Sequence, residues 1–374
     1  MILFAKMREK GNLEILHKNK LNALFAPDWS RGNPYQKLLR AGLENAGVKV
    51  SFCAVPPGIF SLNKILNRNK NIDVFHVHWI NDFIEHLYWN RNPLVVCAKL
   101  WLFWLDLILV RLRGKKLVWT VHNLISHESP SPEIELRARR IIARAANRVV
   151  FHSESARRRV EELYGMSLQS NSAIVEHGNF IGYYPNPDEE SDALRMRLGI
   201  LPQDICVLFF GGIRAYKGVE KLISCVRSIT RQDLRLIIAG KPLPESLKVD
   251  IENACHSDPR IHLELGHVPD KRVAELFCVA DVVVLPFERT LTSGSVLLAM
   301  SMGKGLLLPE EARSLDVIDD NGALFFANDR NLVDALGKLK RDDFQDKGAY
   351  NLEQMRKVSW DDIGRRLAKE YVSA

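Results

Sequence analysis

The sequence predicts an α/β fold of two doubly wound domains, and three observations support this prediction. Short apolar runs alternate with amphipathic helical patterns along most of the chain, as in successive βαβ units. The chain has 374 residues, which is long for one core and suits two domains. A polar, proline-bearing segment at 182–192 divides the alternating pattern and predicts an interdomain linker.

Composition and charge narrow the class of partner. With 47% hydrophobic and 26% charged residues, the chain has the composition of an ordinary globular protein. Its net charge of +7 is uneven. Residues 1–180 hold 26 Lys and Arg against 15 Asp and Glu, a balance of +11, and residues 181–374 hold 26 against 30, a balance of −4. A basic first half predicts an anionic lipid or lipid pyrophosphate partner, and without any nucleic-acid motif we expect no nucleic acid.

Cysteine usage and the first residues bear on the cellular compartment. The cysteines lie mostly within apolar runs, without a Cys-x-x-Cys pair or metal-ligand spacing, so we expect reduced core residues in a cytosolic protein. The apolar run at 1–7 is too short for a signal peptide, and charges follow it at once. The six cysteines are Cys53, Cys97, Cys206, Cys225, Cys255 and Cys278.

The first βαβ unit is predicted near the beginning of the chain. Residues 22–26 read as a strand, 33–46 as a helix and 48–52 as the next strand. The loop 28–33 follows the first strand, at the edge where open α/β sheets bind their ligands.

Two further strands are predicted at 74–79 and 117–123, and each carries histidine near its carboxyl end. Because the carboxyl ends of parallel strands meet at one edge of a sheet, these polar groups are expected to face one site. The pattern therefore makes His122 a candidate site residue, although a lone histidine is commonly a core or surface residue.

The segment 94–110 is unusually apolar, with 15 of its 17 residues lacking polar side chains. Lys99, Asp106 and Arg113 recur every seven residues and would form one polar stripe along a helix. Two central charges make membrane insertion costly, so we expect a buried or interfacial helix rather than a span. Two interpretations stay open: a helix packed on the sheet, or a surface that rests on an anionic membrane.

The remainder of the first half continues the same alternation. Arginine-rich helices are expected at 132–146 and 153–163, on either side of a strand at 148–152. Residues 173–176 are predicted as the last strand of this half.

The second half opens on a strand that ends in glycine. Residues 206–210 form a buried apolar run, and Gly211 and Gly212 follow it at once. Arg214 and Lys217 come next, just before a helical pattern begins. Glycine lets a backbone approach a ligand closely, and two cations beside a helix start can neutralise a diphosphate.

A second stretch, 281–308, predicts a strand, a polar loop, a helix starting near Ser293 and another strand. The loop and helix start offer hydroxyls and free amides, which together form a natural anion site. An ordinary helix cap would look the same on this stretch alone. The residues concerned are Thr292, Ser293, Gly294 and Ser295.

Together the two stretches resemble the nucleotide-binding half of GT-B glycosyltransferases, above all the family-4-like enzymes of bacterial exopolysaccharide and lipid-linked oligosaccharide assembly. Residues 211–218 fit the family's Gly-x-x-x-x-x-Lys-Gly, with Arg214 and Lys217 where the family grips the donor diphosphate. Residues 299–305 match its Ala-Met-x-x-Gly-Lys-Pro, with Gly305 in place of proline. The first half also has His-x-His-Trp and Thr-Val-His-Asn elements like those of such enzymes.

The resemblance implies further donor-site residues and a domain plan. Gly240 matches the family's next glycine turn, and His267 and Val268 match its base-binding loop. The implied plan is two Rossmann-like domains facing a central cleft. It comprises an acceptor-binding domain at 1–182, a nucleotide-sugar-binding domain at 193–358, and a helix at 359–374 that returns to the first domain.

One departure from the family concerns stereochemistry. Retaining members carry two glutamates eight positions apart, and the matching residues here are Thr290 and Leu298, neither of which is a carboxylate. Glu288 is near the first position but out of register. We therefore expect direct displacement with inversion, which needs one general base on the acceptor side.

The expected chemistry uses no metal. The sequence has no Asp-x-Asp, so cations and a helix start would stabilise the leaving group, and no cofactor is expected beyond a UDP- or GDP-sugar donor. The candidate bases lie at strand ends of the first domain. Asp82 ranks first because it directly follows the His-x-His-Trp strand; the others are Asp28, His122 and Glu128.

The resulting expectation is a hexosyltransferase that moves a hexose or hexuronic acid to a lipid-linked or polysaccharide-precursor acceptor. We expect it in the cytoplasm, peripheral on the inner face of the cell membrane. Two alternatives stay open: an inactive GT-B subunit that binds a partner, and a GT-B nucleotide-sugar epimerase. A Rossmann dehydrogenase is disfavoured because no Gly-x-Gly-x-x-Gly follows the first strand.

Overall fold

The computed structural model describes residues 21–88, 92–126, 128–256 and 258–374. The expectation about a signal peptide concerns residues outside this described part. The chain divides into two compact units: the first runs to Gly178 and takes in Val358–Ala374, and the second is Asn179–Lys357. The division after 178 precedes the expected linker at 182–192, because the residues after Gly178 already bond within the second unit.

The first unit contains a six-stranded sheet, all parallel, in the order β2-β1-β3-β4-β5-β6. Such a sheet needs crossover helices on its faces, and its central strands β1, β3 and β4 are almost wholly buried. The strands are β1 (Asn22–Ala26), β2 (Lys49–Phe52), β3 (Val74–Val77), β4 (Lys116–Thr120), β5 (Arg148–Phe151) and β6 (Ser172–Ile174).

The helices of the first unit connect these strands, and one helix comes from the far end of the chain. They are α1 (Pro34–Asn45), α2 (Ser61–Arg68), α3 (Asn81–Tyr88), α4 (Pro93–Leu112), α5 (Pro132–Ala145), α6 (Glu154–Tyr164) and α14 (Trp360–Ser373).

Helix α14 belongs to the first unit because it packs against α1. A Cβ on Gly42 would collide with the Trp360 carbonyl, and a Cβ on Gly364 would collide with the Gly42 carbonyl. The two helices therefore touch backbone to backbone. Ile363, Leu367 and other buried residues of α14 join the core beneath α1.

Helix α4 carries its polar stripe toward the protein. Asp106 is 1% exposed and accepts hydrogen bonds from the backbone N–H groups of Leu62 and Asn63, which begin α2. Lys99 Nζ donates to the His86 carbonyl at 2.8 Å, and Arg113 donates to the Asn67 side chain at 2.8 Å.

The opposite face of α4 is apolar and exposed. Leu94, Trp101 and Leu112 are 80%, 58% and 76% exposed, and Trp104 is 41% exposed. Within the described residues, α4 is the one helix whose length and composition would let it cross a membrane, and a single such helix is weak evidence for a span. The helix therefore presents apolar residues to solvent as well as to the core, unlike an ordinary surface helix, whose outer face is polar.

The second unit contains another six-stranded parallel sheet, in the order β12-β11-β10-β7-β8-β9. The two sheets confirm the predicted α/β fold of two doubly wound domains. The strands are β7 (Ile205–Phe210), β8 (Leu234–Gly240), β9 (Ile261–Leu265), β10 (Val282–Val284), β11 (Gly305–Pro309) and β12 (Ala323–Phe326).

The helices of the second unit alternate with its strands, except at the end. The helix α13 was not singled out by the sequence pattern, because two of its four buried residues, Gly348 and Asn351, lack apolar side chains. The helices are α7 (Ser191–Arg197), α8 (Val219–Ser228), α9 (Ser246–Cys255), α10 (Asp270–Val279), α11 (Gly294–Ser301), α12 (Asp329–Lys338) and α13 (Arg341–Arg356).

The cysteines need one correction. All six are free, and Cys206, Cys225 and Cys255 are buried as expected. Cys97 is exposed on the outer face of α4, so it is not a core residue. The expectation was wrong there because α4 presents apolar residues to solvent as well as to the core.

Candidate active site

Glycines line the carboxyl edge of the second sheet. Gly211 follows β7 with φ +136°, Gly240 ends β8 with φ +147°, and Gly266 follows β9 with φ +144°. Only glycine adopts this backbone region readily. A Cβ on Gly240 would overlap the Gly211 carbonyl oxygen, so the two strand ends pack backbone to backbone. This edge is therefore open to close approach by a ligand.

The two cations follow Gly211 on a tight turn. Arg214 precedes a 3₁₀ turn at Ala215–Lys217, and Gly212 is exposed beside the Arg214 guanidinium. Gly218 has φ +72°, and a Cβ there would collide with the Pro286 carbonyl. This turn is therefore held against the loop that follows β10.

A backbone hydrogen bond strengthens that contact. The Glu288 N–H donates to the Tyr216 carbonyl at 3.0 Å. The Glu288 side chain is exposed. The two loops that the sequence singled out are thus joined through their backbones.

The electrostatics of the turn suit an anion. Burial, followed by the charge of Arg214, lowers the pKa of Lys217 to about 8. Two neighbouring positive groups repel each other, and a phosphate bound between them removes that repulsion.

The start of α11 lies at the same place. Ser293 caps the helix, its hydroxyl oxygen accepting from the Val296 N–H at 3.3 Å. Gly294 is exposed, with open space where a Cβ would be. A Cβ on Gly211 would lie 2.5 Å from Ser295 Oγ, which places the helix start directly over that strand end. Thr292, half-buried, precedes the cap.

His267 and Val268 lie on the loop after β9, the edge strand of the sheet. His267 is exposed and Val268 is half-buried. The Gly266 N–H donates to the Gly240 carbonyl at 2.9 Å, which ties this loop to the glycine edge. The two residues therefore share that edge with Gly211, two strands away.

The two positions that match the family's glutamate pair carry Thr290 and Leu298, so neither offers a carboxylate. Leu298 is 4% exposed within α11. The Thr290 hydroxyl donates to the Thr292 carbonyl at 2.8 Å and so shapes its own loop.

The first unit brings five histidines together at the carboxyl edge of its sheet. His78 Nδ1 and His122 Nε2 lie 3.3 Å apart, and the ring centroids of His122 and His152 lie 5.3 Å apart. His152 and His177 are in edge contact at 5.4 Å. His76 stacks on His78 at 4.2 Å and hydrogen-bonds the Thr120 hydroxyl at 2.7 Å. His152 and His177 were missed in the sequence because they stand alone after β5 and β6.

Every member of this histidine cluster is held neutral. Burial, and then the neighbouring histidines, lower the pKa values of His76, His78 and His122 well below their usual range. Burial lowers the pKa of His152 to about 4, and burial together with His152 lowers that of His177 to about 3.

Tyr35 and two residues of α14 complete the cluster. The Tyr35 ring lies at the edges of His78, His122 and His152, at centroid distances of 5.7, 5.1 and 5.6 Å. Tyr371 Oη and His76 Nδ1 are 2.6 Å apart, and the Trp360 ring meets Tyr35 edge-on at 5.7 Å. The last helix of the chain is therefore part of this site.

Asp82 and His122 are linked through two indoles. Trp29 stacks on Trp79 at 4.4 Å, and Trp79 stacks on His122 at 4.5 Å. The Trp29 indole lies beside Asp82, which is in the first turn of α3. Burial raises the pKa of the Asp82 carboxyl, the interaction with the Trp29 indole lowers it and Glu85 raises it, with a net increase.

The other two candidate bases, Asp28 and Glu128, are placed less favourably. The Asp28 carboxylate accepts from the Ser30 hydroxyl at 2.6 Å and from its N–H at 3.1 Å, so it serves a local turn. Glu128 is exposed.

A buried ion pair holds the loops around the candidate bases. Arg139 and Glu135, 3% and 0% exposed, lie 2.7 Å apart on α5. Arg139 donates to the Asn123 carbonyl at 3.1 Å and to the Asn81 side chain at 3.4 Å. It therefore ties the residue after His122 to the residue before Asp82. The i,i+4 spacing was visible in the sequence, but its burial was not.

The described residues contain no group of three or more His, Cys, Asp or Glu side chains placed to hold a metal ion.

Two family models match the chain, one in each unit. The model described as Glycosyltransferase Family 4 matches residues 23–171, and the model described as Glycosyl transferases group 1 matches residues 204–342. The two matches fall on the two parallel sheets.

Individual proteins agree with these matches. The chain is 29% identical over 314 residues to a GDP-mannose:glycolipid 4-beta-D-mannosyltransferase of Xanthomonas campestris pv. campestris, covering 81% of this chain and 78% of the relative. Two solved structures show the same fold. Sucrose-phosphate synthase of Thermosynechococcus elongatus has a TM-score of 0.73 at 15% identity, covering 95% of this chain and 98% of the other. Anabaena HepE in complex with UDP-glucose has a TM-score of 0.73 at 14% identity, covering 95% of this chain and 100% of the other.

The predicted resemblance is thus confirmed by both units, by their family models and by their structural neighbours. The chain is an enzyme that belongs to the GT-B glycosyltransferases, in the family-4-like group.

Proposed function

We propose that the chain transfers a hexose from a GDP- or UDP-hexose to a lipid-linked saccharide, without a metal and with inversion at the anomeric carbon. The observation that carries the proposal is the convergence of Arg214, Lys217 and the start of α11 at the Gly211 strand end. Cations, amides and hydroxyls meet there beside glycines, as a diphosphate requires. The mannosyltransferase relative, whose name gives a glycolipid acceptor, supports the choice of acceptor.

The donor diphosphate would lie against this convergence. Arg214 and Lys217 would neutralise the charge that develops on the leaving diphosphate, and the amides of Gly294 and Ser295 would donate to its oxygens. His267 and Val268 would face the nucleotide base. GDP-mannose is the first donor to test, because the relative's name specifies it.

The proposed displacement is a single step. Asp82 takes the proton of the acceptor hydroxyl, the oxygen forms a bond to the anomeric carbon, and the bond to the diphosphate breaks. Nucleotide hexoses such as GDP-mannose are α-linked, so the product would be β-linked. The name of the relative, a 4-beta-D-mannosyltransferase, agrees with that outcome.

Asp82 remains the preferred base on physical grounds. Its pKa is raised by burial, so its carboxylate holds a proton more strongly than an exposed one would. His122 is a weak base because its pKa lies far below neutrality. The Asp28 carboxylate is bonded within its own turn.

Helix α4 would rest on the membrane that carries the acceptor. Its apolar outer face bears Trp101 and Trp104, and indoles favour the membrane interface. Exposed arginines flank it at Arg111 and Arg113, and Arg137 lies on α5, which packs against α4. These charges would attract anionic lipid, placing the protein on the inner face of the cell membrane as a peripheral protein.

The proposal is tested by incubating the purified protein with labelled GDP-mannose or UDP-glucose and a lipid extract from the source cells. We expect label in the lipid phase, and a β configuration in the anomeric coupling measured by proton NMR. Asp82→Asn should lower turnover about 10²–10⁴-fold while donor binding persists.

Two results would count against the proposal. No transfer with either class of donor would favour an inactive subunit, and an α-linked product would refute inversion. For variants that remove Arg214 or Lys217, Lys338→Ala controls for the loss of positive charge, because Lys338 is exposed on α12.

A further inference from the structure

We propose that Trp29 forms a stacking platform for a pyranose ring of the acceptor, in a subsite whose polar wall is Asp82 and Glu85. The proposal rests on the proposed function, since a saccharide acceptor is part of it. The sequence placed the loop 28–33 at the ligand-binding edge but did not single out Trp29 within it, because a tryptophan in a loop carries no motif of its own.

The exposure of Trp29 is the first observation. The residue is 40% exposed on the loop after β1, although burial of an indole is among the larger gains available in folding. One face packs on Trp79 with rings 4.4 Å apart and 19° from parallel. The indole is thus supported in a fixed plane while a large part of its surface meets solvent.

The loop that carries Trp29 is rigid. Gln36, which is 0% exposed, accepts from the Trp29 N–H at 2.8 Å and donates to the Pro27 carbonyl at 2.9 Å. The Trp29 carbonyl accepts from the N–H groups of Gly32 and Asn33 at 3.1 and 3.0 Å. A preorganised platform binds its ligand without losing loop entropy.

A cavity whose lining includes two carboxylates adjoins the platform. Its volume is 270 Å³, and it is lined by Asp82, Glu85 and Tyr88, together with Asn81 and Pro130. It has the volume of about nine liquid waters at about 30 Å³ each, which is room for one sugar ring. The Trp29 indole interacts with the Asp82 carboxyl and lowers its pKa, so the platform borders the cavity.

The chemistry of these groups matches a pyranose. One face of such a ring presents C–H groups, which are attracted to the electron-rich face of an indole. Its rim presents hydroxyls, which donate to carboxylates such as Asp82 and Glu85. An acyl chain would match the indole but leave both carboxylates without hydroxyl donors. We therefore assign the site to a sugar rather than to lipid.

Trp29 would be a positioning and specificity residue. By stacking one face of the acceptor ring it would fix which hydroxyl reaches the Asp82 carboxylate. Since orientation of reacting groups controls rate, a loose ring would be a poor nucleophile.

The first test measures binding without turnover. Saturation-transfer NMR is recorded on the full chain with methyl β-D-glucopyranoside and methyl α-D-mannopyranoside as probes. We expect transfer to the C–H protons of at least one probe, reduced about tenfold in Trp29→Ala and largely kept in Trp29→Phe, whose ring can still stack. Trp104→Ala is the matched control, because Trp104 is 41% exposed on α4, away from the cavity.

The binding results test directly whether Trp29 forms the platform. No transfer to either probe, or equal transfer in Trp29→Ala and wild type, would overturn it. Far-UV circular dichroism checks that each variant is folded, and Trp29→Phe remains informative if Trp29→Ala is not.

The second test uses kinetics with the lipid extract as acceptor. We expect Trp29→Ala to raise the acceptor KM about tenfold while the donor KM is unchanged. Trp29→Phe should restore the acceptor KM but move the acid limb of the kcat/KM profile to higher pH, because Asp82 loses the interaction with the indole N–H that lowers its pKa.

The two tests separate the platform from the proposed function. If the probes bind at Trp29 but the wild type transfers no sugar, the transferase proposal fails and the subsite stands. If transfer proceeds with an unchanged acceptor KM in Trp29→Ala, the platform is refuted and the transferase proposal stands.

Discussion

Acidification should destabilise the first unit through its histidine cluster. His76, His78, His122, His152 and His177 are neutral in the fold, with pKa values lowered below the ordinary 6.5. In the unfolded chain they protonate near 6.5, so below that pH the unfolded state binds more protons. Stability is therefore complete above about pH 6.5 and is lost as pH falls toward the folded pKa values.

The magnitude follows from the shifts. Each histidine that is neutral when folded and protonated when unfolded costs about 1.4 kcal/mol per pH unit. At pH 5.0, which lies above the folded values of about 4 for His152 and about 3 for His177, each loses about 2 kcal/mol. Five such residues would cost about 10 kcal/mol, comparable with the whole stability of a typical domain.

Neighbouring charged groups change this total loss of stability only in part. Glu176 favours the charged form of His152, whereas Arg139 opposes that of His122. The buried Nε2 atoms of His78 and His152 have no hydrogen-bond partner among the described residues, so a proton added there would be poorly solvated.

Tryptophan fluorescence is the suitable assay. All seven tryptophans lie in the sequence ranges of the first unit, so the signal reports that unit. We expect the unfolding free energy in urea to fall steeply between pH 7.5 and 5.0. In His177→Gln the slope should decrease by about 1.4 kcal/mol per pH unit, because one titrating group is removed. The matched control is His256→Gln, an exposed histidine of the second unit.

A flat profile would refute the reasoning. If the unfolding free energy changed by less than about 1.4 kcal/mol between pH 7.5 and 5.0, not even one histidine would have the lowered pKa. An equal change of slope in His256→Gln would show that the effect does not belong to the cluster.

Three further predictions concern the donor, the metal and the membrane. Arg214→Ala or Lys217→Ala should each weaken donor or transition-state binding by about 1.5–3 kcal/mol with little effect on folding. Wild-type turnover in both variants would refute the assignment of these residues to the donor site. Wild-type donor affinity, measured by calorimetry, should also fall as pH rises past about 8, where Lys217 loses its charge. Transferase activity should survive excess EDTA, and loss that magnesium or manganese restores would reveal a metal requirement. Binding to anionic vesicles should weaken in Trp101→Asp and with rising salt, since charges are screened within about 10 Å at 0.1 M; indifference to anionic vesicles at low salt would make α4 an ordinary helix.

The glycosyltransferase fold was predictable because its signals are local. Apolar strands alternating with amphipathic helices require parallel sheets, and glycines at the end of β7 mark a ligand edge wherever the sheet is placed. Arg214, Lys217 and the start of α11 could likewise be found, since strand order was not needed to recognise their motifs. Helix α4 was identified with its polar stripe at Lys99, Asp106 and Arg113.

Tertiary structure alone decided which way the polar stripe of helix α4 faces. A periodic pattern shows that one face differs from the other, but not which face meets the core. Asp106 caps α2 and Lys99 binds a carbonyl, so these polar groups find partners inside, and apolar residues of α4 remain on its outer face.

The histidine cluster of the first unit depended on tertiary structure even more. His76 and His122 come from neighbouring strands, and Tyr371 arrives from the last helix, hundreds of residues along the chain. No local pattern encodes such contacts, because they follow from the order of strands in the sheet and from the path of α14. The sequence alone determined the fold and the residues that we propose to face the donor phosphates, whose signals lie within single loops. Tertiary structure alone decided the histidine cluster, the Trp29–Asp82 pairing and the Arg139 bridge, because burial and charge there are set by residues distant in sequence.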